Sequence, residues 1–373
     1  MRKLLYNIWL CTVLCFPVLE VMSQNASQLS KTITEEYTVS TGDNIEVKNK
    51  YGQVIVNTWP ENRVQLKVTM TAYGKSQAAA EKILNRVSFD FNQVNNYVIL
   101  ETILDRKSGV FKELLNNIGD YSKTLLSKDR LDVDYELYVP ENAALKIDNK
   151  FGDVFLGDLK NDCKIDISNG NLKASDLSGS ADISISFGNA YFNTIERGEL
   201  TLKVADVEIE DASILNVSSS SSDIIIRKVT KARINSRNDK IKINKIDHFS
   251  GRSSFSKIEV TELLNLTDLD MNYGRLAVSE IHDGFTRIQL TGKSTDFNLS
   301  FASLSYFNAS LTARKDKLVL PTKISDVDID YLEDKDNLVS VNGTIGNKKD
   351  NPSSVNINAQ KGDLKVFFVR SSH

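Results

Sequence analysis

The feature that most constrains this chain is a period. The first aliphatic residue after a recurring turn phrase falls at Val154, Leu172, Ala190, Val207, Ile224, Ile241, Ile258 and Leu276, in steps of 18, 18, 17, 17, 17, 17 and 18 residues. A second column lies two residues on, at Leu156, Ala174, Phe192, Ile209, Ile226, Ile243, Val260 and Val278. A third lies five residues on, from Leu159 and Leu177 through Leu263 to Ile281. Side chains two apart share one face of a strand, whereas a helix would place them at spacings of three and four. A fixed short period of this kind is the mark of a stacked repeat whose units bury one another. The sequence therefore predicts an all-β fold, a single-stranded β-solenoid (parallel β-helix) with coils of 17–18 residues over 141–302.

The turn phrase itself appears early, as NKYGQVIV at 49–56 and again as NKFGDVFL at 149–156, a hundred residues apart. Its small position runs Gly152, Gly170, Gly188, Ala205, Ser222, Asp239, Ser256 and Gly274. A recurring tight corner needs a residue that accepts positive φ or a close backbone approach. The first copy reads as a displaced coil, with a β-α-β excursion over 57–140 inserted before the run resumes. No GxxxxGK[ST] pattern follows either glycine, so a phosphate loop is not indicated.

The ends of the period mark the remaining regions. Residues 1–23 carry Arg2 and Lys3, then an apolar run from Leu4 to Leu19, then a small residue at Ser23. That is the pattern of a secretory signal peptide, and the run is short for a membrane span and broken by Pro17. Residues 24–140 read as a β-rich N-terminal capping region. In it, 44–56 and 62–73 look like paired strands and 76–87 a helix with Ala79, Ile83, Leu84 and Val87 on one face. A second helix or an insertion is expected at 109–126, and 129–140 reads as a strand with Asp132, Asp134 and Glu136 on its outer face. Residues 303–373 read as a C-terminal β-rich end cap, with a loose linker at 346–355 and KGDLKVFF (361–368) as its last strand. Such caps cover the open ends of a repeat stack.

Charge and cysteine content narrow the function. The net charge is −3; removal of Arg2, Lys3 and Glu20 with the leader takes away a net +1 and leaves −4. No global field holds nucleic acid, and no transmembrane segment is expected after cleavage. Only Cys163 remains, so the core rather than a disulfide must hold the fold. A nucleophilic role for Cys163 would need a histidine, and His248 and His282 are distant in sequence.

The polar positions offer few candidates for chemistry. The residue before the first aliphatic runs Asp153, Asn171, Asn189, Asp206, Asp223, Lys240, Lys257 and Arg275. Asp206 and Asp223 on adjacent coils are the pair a carbohydrate-active β-helix would use, but Asn and Asp are also ordinary corner residues. The switch from acidic to basic reads as pairing between neighbouring coils. Asp326, Asp328 and Asp330 alternate on one strand face and raise the question of a Ca²⁺ site, against a solvated outer face. The run of serines at 218–222 reads as a polar outer strip, and the N-x-S/T sequons, such as Asn216 and Asn298, as chance. No catalytic residue, cofactor or metal is assigned.

The phrases NKYGQVIVNTWPENRVQLKV and DVDYELYVPENAALKIDNKFGDVFLGDLKND, with the coils that follow, are similar to the adhesin-like β-strand-repeat family of bacterial envelope proteins. There a [KN]-[YF]-G-[DS]-[VIL] phrase recurs behind a signal peptide. The resemblance is best over 44–300. It departs from Ala205 to Ser256, where the aromatic-Gly pair becomes Val-Ala, Ser-Ser, Asn-Asp and Phe-Ser. It implies an exported β-solenoid. The regular aliphatic core without a convergent catalytic group adds the expectation of a non-enzymatic adhesion or scaffold module, in the periplasm, on the outer membrane or extracellular. The expected partner is an envelope protein or a surface glycan. A periplasmic signalling or stress-sensing partner, or a carbohydrate-active enzyme, are the alternatives.

Overall fold

The computed structural model describes residues 27–104, 129–321, 326–331, 337–346 and 352–369. The signal-peptide segment, the expected helix at 109–126 and residues 347–351 of the expected linker lie outside these residues. The described chain is all-β, with one α-helix and a large sheet built from many strands.

Parallel pairing dominates the middle of the chain. Asp206–Ser220 lies in register on Asp223–Arg237, which lies on Lys240–Ser254, which lies on Lys257–Asn272. Each residue therefore sits beside the one 17 or 18 positions later, and rungs stack ~4.8 Å apart. The three aliphatic columns all face inward. Val154, Ile209, Ile246 and Ile281 are 0% exposed, and every other member of the columns is buried with them. Burying an aliphatic side chain contributes roughly 1.5–3 kcal/mol. The repeat places the next rung's aliphatic over the last, so this burial is available on every rung.

The two copies of the turn phrase are direct neighbours. Asn44–Lys50 pairs in parallel with Ala144–Lys150, Val54–Trp59 pairs with Val154–Leu156, and the register offset is one hundred throughout. The excursion between them builds the N-terminal end. Asn44–Lys50 also pairs with Tyr97–Leu104, and Val54–Trp59 also pairs with Arg130–Pro140. The expected pairing of 44–56 with 62–73 is thus corrected: both edges of the first segment are already occupied. Arg63–Gly74 instead pairs antiparallel with Arg130–Pro140 and with Ser27–Thr38.

The helix is shorter than its apolar pattern suggested, covering Gln77–Leu84. Ser76 Oγ accepts the Ala79 N–H at 3.2 Å and starts it. Val87 is lost to the strand Val87–Val94, which pairs with Tyr97–Leu104 and removes the last turn. No helix among the described residues is long and apolar enough to cross a membrane.

At the other end the last strand in sequence is not the last in space. Leu364–Phe368 lies between Asp296–Phe301 and Leu318–Val319. Ser353–Ala359 lies between Arg287–Lys293 and Tyr306–Arg314. The chain thus leaves a rung open near Phe301 and fills it some fifty residues later.

The corner resolves the either-or of the sequence. Positive φ falls one residue before the small position, at Tyr51 (65°), Phe151 (59°), Asn169 (56°), Phe187 (60°), Val204 (51°), Ser221 (54°), Asn238 (59°), Phe255 (58°) and Tyr273 (54°). The small residue itself serves close approach. A Cβ on Gly152 would lie 1.8 Å from the Gly52 carbonyl oxygen, and one on Gly170 would lie 2.1 Å from that of Gly152.

Candidate functional site

A residue in the left-handed conformation at a corner turns its side chain outward. Phe187, Val204, Phe255 and Tyr273 are 51%, 47%, 58% and 51% exposed. The corner column is therefore a line of outward side chains, several aromatic, spaced by the rung distance. At its N-terminal end it borders a groove of about 730 Å³. The rings of Tyr51, Phe151 and Phe187 line one part of it. Tyr51 and Phe151 stack at 5.5 Å with 21° between their planes, and Lys50 Nζ lies 4.8 Å from the Tyr51 ring centre.

Polar groups from the inserted strand Arg130–Pro140 line the opposite part. Leu131, Val133 and Tyr135 point into the core, so strand alternation turns Asp132 and Asp134 toward the groove. Asp132 Oδ2 accepts from Arg130 Nη2 at 2.6 Å, and the Arg130 guanidinium sits 4.4 Å over the Tyr73 ring. Asp134 Oδ1 accepts the Gln53 N–H at 3.0 Å. Burial holds the Asp134 carboxyl above its ordinary value, with the Gln53 N–H opposing. Asp153 Oδ1 accepts both the backbone N–H and the side-chain amide of Asn171, at 2.8 and 2.9 Å. The groove thus offers aromatic surface beside carboxylates whose positions are fixed by hydrogen bonds. Such a surface can stack on a ring and accept from hydroxyl or amine donors.

The other candidates have structural partners. Asp206 and Asp223 are in-register neighbours, both exposed, and Asp223 Oδ2 pairs with Lys240 Nζ at 3.1 Å. Cys163 is buried and free, and burial with Asp162 and Asp182 nearby pushes its thiol up to about 12. A thiol held protonated is a poor nucleophile. His248 and His282 face the adjacent Asp247 and Asp283, at 3.0 and 3.4 Å. Asp328 and Asp330 are exposed on the strand Asp326–Tyr331, which pairs antiparallel with Leu338–Gly346. Among the described residues no three His, Cys, Asp or Glu side chains are grouped to hold a metal.

The serine run is only partly an outer strip, and that expectation is corrected. Ser219 and Ser222 are buried. Both serve Asp239, a buried carboxylate in the small-residue column of the corner. Asp239 accepts from Ser219 Oγ (2.6 Å), from the Ser222 N–H (2.8 Å) and from the Arg237 N–H (3.0 Å). Here a side chain replaces the close glycine approach of earlier rungs. Sequence reasoning missed this network, although Asp239 in a column of Gly, Ala and Ser was its visible sign. It also treated Asp132 and Asp134 as plain outer-face residues, because nothing in their own strand reveals the rings across the groove.

No family model matches the chain, and no curated protein matches it. Solved structures similar to it include the following three. A "putative adhesin" from Bacteroides fragilis is 15% identical with a TM-score of 0.40, covering 72% of this chain and 97% of that one. A "putative adhesin" from Parabacteroides distasonis is 12% identical with a TM-score of 0.38, covering 72% and 97%. A "Putative lipid binding protein" from the same species is 15% identical with a TM-score of 0.33, covering 72% and 93%.

Proposed function

We propose that this chain is an exported, non-enzymatic β-solenoid that serves as an adhesin-like or scaffold module of the bacterial cell envelope. The groove at its first corner is the recognition surface. The observation that carries the reading is that groove: stacked rings of Tyr51 and Phe151 beside fixed carboxylates at Asp132, Asp134 and Asp153, on a rigid stack of parallel strands. Binding surfaces built on regular elements hold their geometry with little ordering cost. The solenoid reading is supported by the i to i+17 parallel register from Asp206 to Lys257, which shifts to i+18 between Ile246 and His248, and by the buried aliphatic columns.

Protease treatment of intact cells, followed by a blot for this protein, tests the location. Loss of signal supports contact with the outside; full protection sinks the adhesion reading. In a cell- or matrix-binding assay, Phe151→Ala with Phe187→Ala should reduce retention at least tenfold, and unchanged retention would remove the groove from the reading. For the solenoid, small-angle scattering should give a radius of gyration well above the ~20 Å of a compact chain of this length.

A further inference from the structure

Toward the far end of the same corner the surface changes character. Between Asp223 and Lys257 the sequence holds ten lysines and arginines against three aspartates, within a chain of net charge −3. One of those aspartates, Asp239, is buried. In a neighbouring column like charges also meet, Lys228 beside Lys245, but each has a carboxylate on its other side: Lys228 with Asp211 at 2.9 Å and Lys245 with Glu262 at 3.0 Å; Arg227 likewise pairs with Glu208 at 2.6 Å. The corner column differs in that two of its cations have no such carboxylate among the described residues. Register places Lys240 beside Lys257 and Lys257 beside Arg275. Lys240 has Asp223, but no described carboxylate pairs with Lys257 or Arg275. The next residue in register is Asp296, whose Oδ1 accepts the Asp363 N–H at 3.0 Å. Like charges on adjacent strands are destabilising, so this row does not serve the stability of the stack.

Two residues before Lys257 and Arg275 stand Phe255 and Tyr273. Their rings stack at 5.2 Å with 6° between planes, and both remain more than half exposed. Beside Phe255 a cleft of about 560 Å³ is lined by Ser220, Ser221, Arg237 and Asn238. Cations in single file ~4.8 Å apart, aromatic surface, and neutral hydroxyl and amide groups therefore occupy one ridge.

We propose that the ridge of Lys240, Lys257, Arg275, Phe255 and Tyr273 binds an acidic polysaccharide, a sugar chain bearing carboxylate or sulfate groups. The row of cations matches a linear polyanion, and the serine and asparagine groups match sugar hydroxyls. A single-stranded nucleic acid would use ring faces as base platforms, but here the two rings stack on each other. The ridge is separate from the groove at Tyr51 and Phe151, being about four rungs beyond Phe187, or ~19 Å, and does not depend on it.

Calorimetric titration of the purified protein with dextran sulfate, polygalacturonate, neutral dextran and a mixed-sequence single-stranded oligonucleotide tests this. At least one acidic polymer should bind, more weakly at high salt, and neutral dextran should not. Whichever of the two acidic polymers binds more tightly identifies the anion. Lys257→Glu with Arg275→Glu should weaken binding at least tenfold, Phe255→Ser with Tyr273→Ser at least threefold, and Lys173→Glu, distant and exposed, should leave it unchanged. Should the charge-reversed protein unfold, Lys257→Gln with Arg275→Gln should weaken binding in the same direction. Absence of binding to both acidic polymers, wild-type affinity in the charge-changed protein, or tighter binding of the oligonucleotide than of either polymer would overturn the proposal.

Discussion

Gly152 lies so close over Gly52 that a Cβ built on it would stand 1.8 Å from the Gly52 carbonyl oxygen, although a hundred residues separate the two. The neighbouring rings of Tyr51 and Phe151 stack at 5.5 Å for the same reason. Asn149 completes the corner, its side-chain amide donating to the Gly152 carbonyl at 2.8 Å and to the Gly52 carbonyl at 3.1 Å. In the phrase N-K-aromatic-Gly the asparagine thus ties the corner and the lysine covers its outer face. The aromatic residue takes the left-handed conformation, and the glycine lets the two backbones meet.

Replacing Gly152 by Ala should be costly. The clash is with the Gly52 backbone, in a ladder that cannot shift one strand alone. Overpacking of this kind costs about 1–3 kcal/mol, and backbone contact places it at the upper end. Gly284→Ala is the control, since its nearest neighbour would be a side-chain nitrogen of His282 at 3.8 Å. Urea unfolding of both variants checks the prediction; equal midpoints would show that the corner yields freely.

Asp239→Ala should destabilise by about 3 kcal/mol, because it leaves the buried donors of Ser219 and Ser222, and the half-buried N–H of Arg237, without their acceptor. Asp239→Asn should cost less, since one oxygen is kept. If the two variants unfold at the same denaturant concentration as the parent, the carboxylate is not the centre of that corner.

Val204 is a β-branched residue held at φ 51° and 47% exposed. A left-handed conformation costs a residue with a Cβ roughly 1–2 kcal/mol, and asparagine tolerates it better. Val204→Asn should therefore raise stability, by about 0.5–1 kcal/mol. A fall in thermal midpoint would mean that the exposed valine contributes packing not apparent from its exposure.

Cys163 gives a pH dependence. Its folded thiol is raised from 9.0 to about 12 by burial, so folding favours the protonated form. The contribution is whole below pH 9 and is lost as pH rises toward 12. Stability should fall across that window, less steeply in Cys163→Ala. Native protein should also resist thiol reagents at pH 8 and react once denatured; rapid labelling without denaturant would contradict the burial.

The period, the three inward columns and the corner phrase were all legible in the sequence, because each rung repeats the same demand. An aliphatic must cover the aliphatic below it, and a small residue must let two backbones meet. Leu131, Val133, Tyr135, Leu137 and Val139 were legible as one buried face for the same local reason. What tertiary structure alone decided are pairings between segments that share no period. Examples are Arg130–Pro140 between Val54–Trp59 and Arg63–Gly74, and Ser353–Ala359 in the rung left open beyond Arg287–Lys293. Strand edges satisfy their hydrogen bonds with any backbone of suitable register, so sequence does not name the partner. The groove depends on that choice. Asp132 and Asp134 meet Tyr51 and Phe151 only because the inserted strand lies on the first corner, a placement fixed by which edge was vacant.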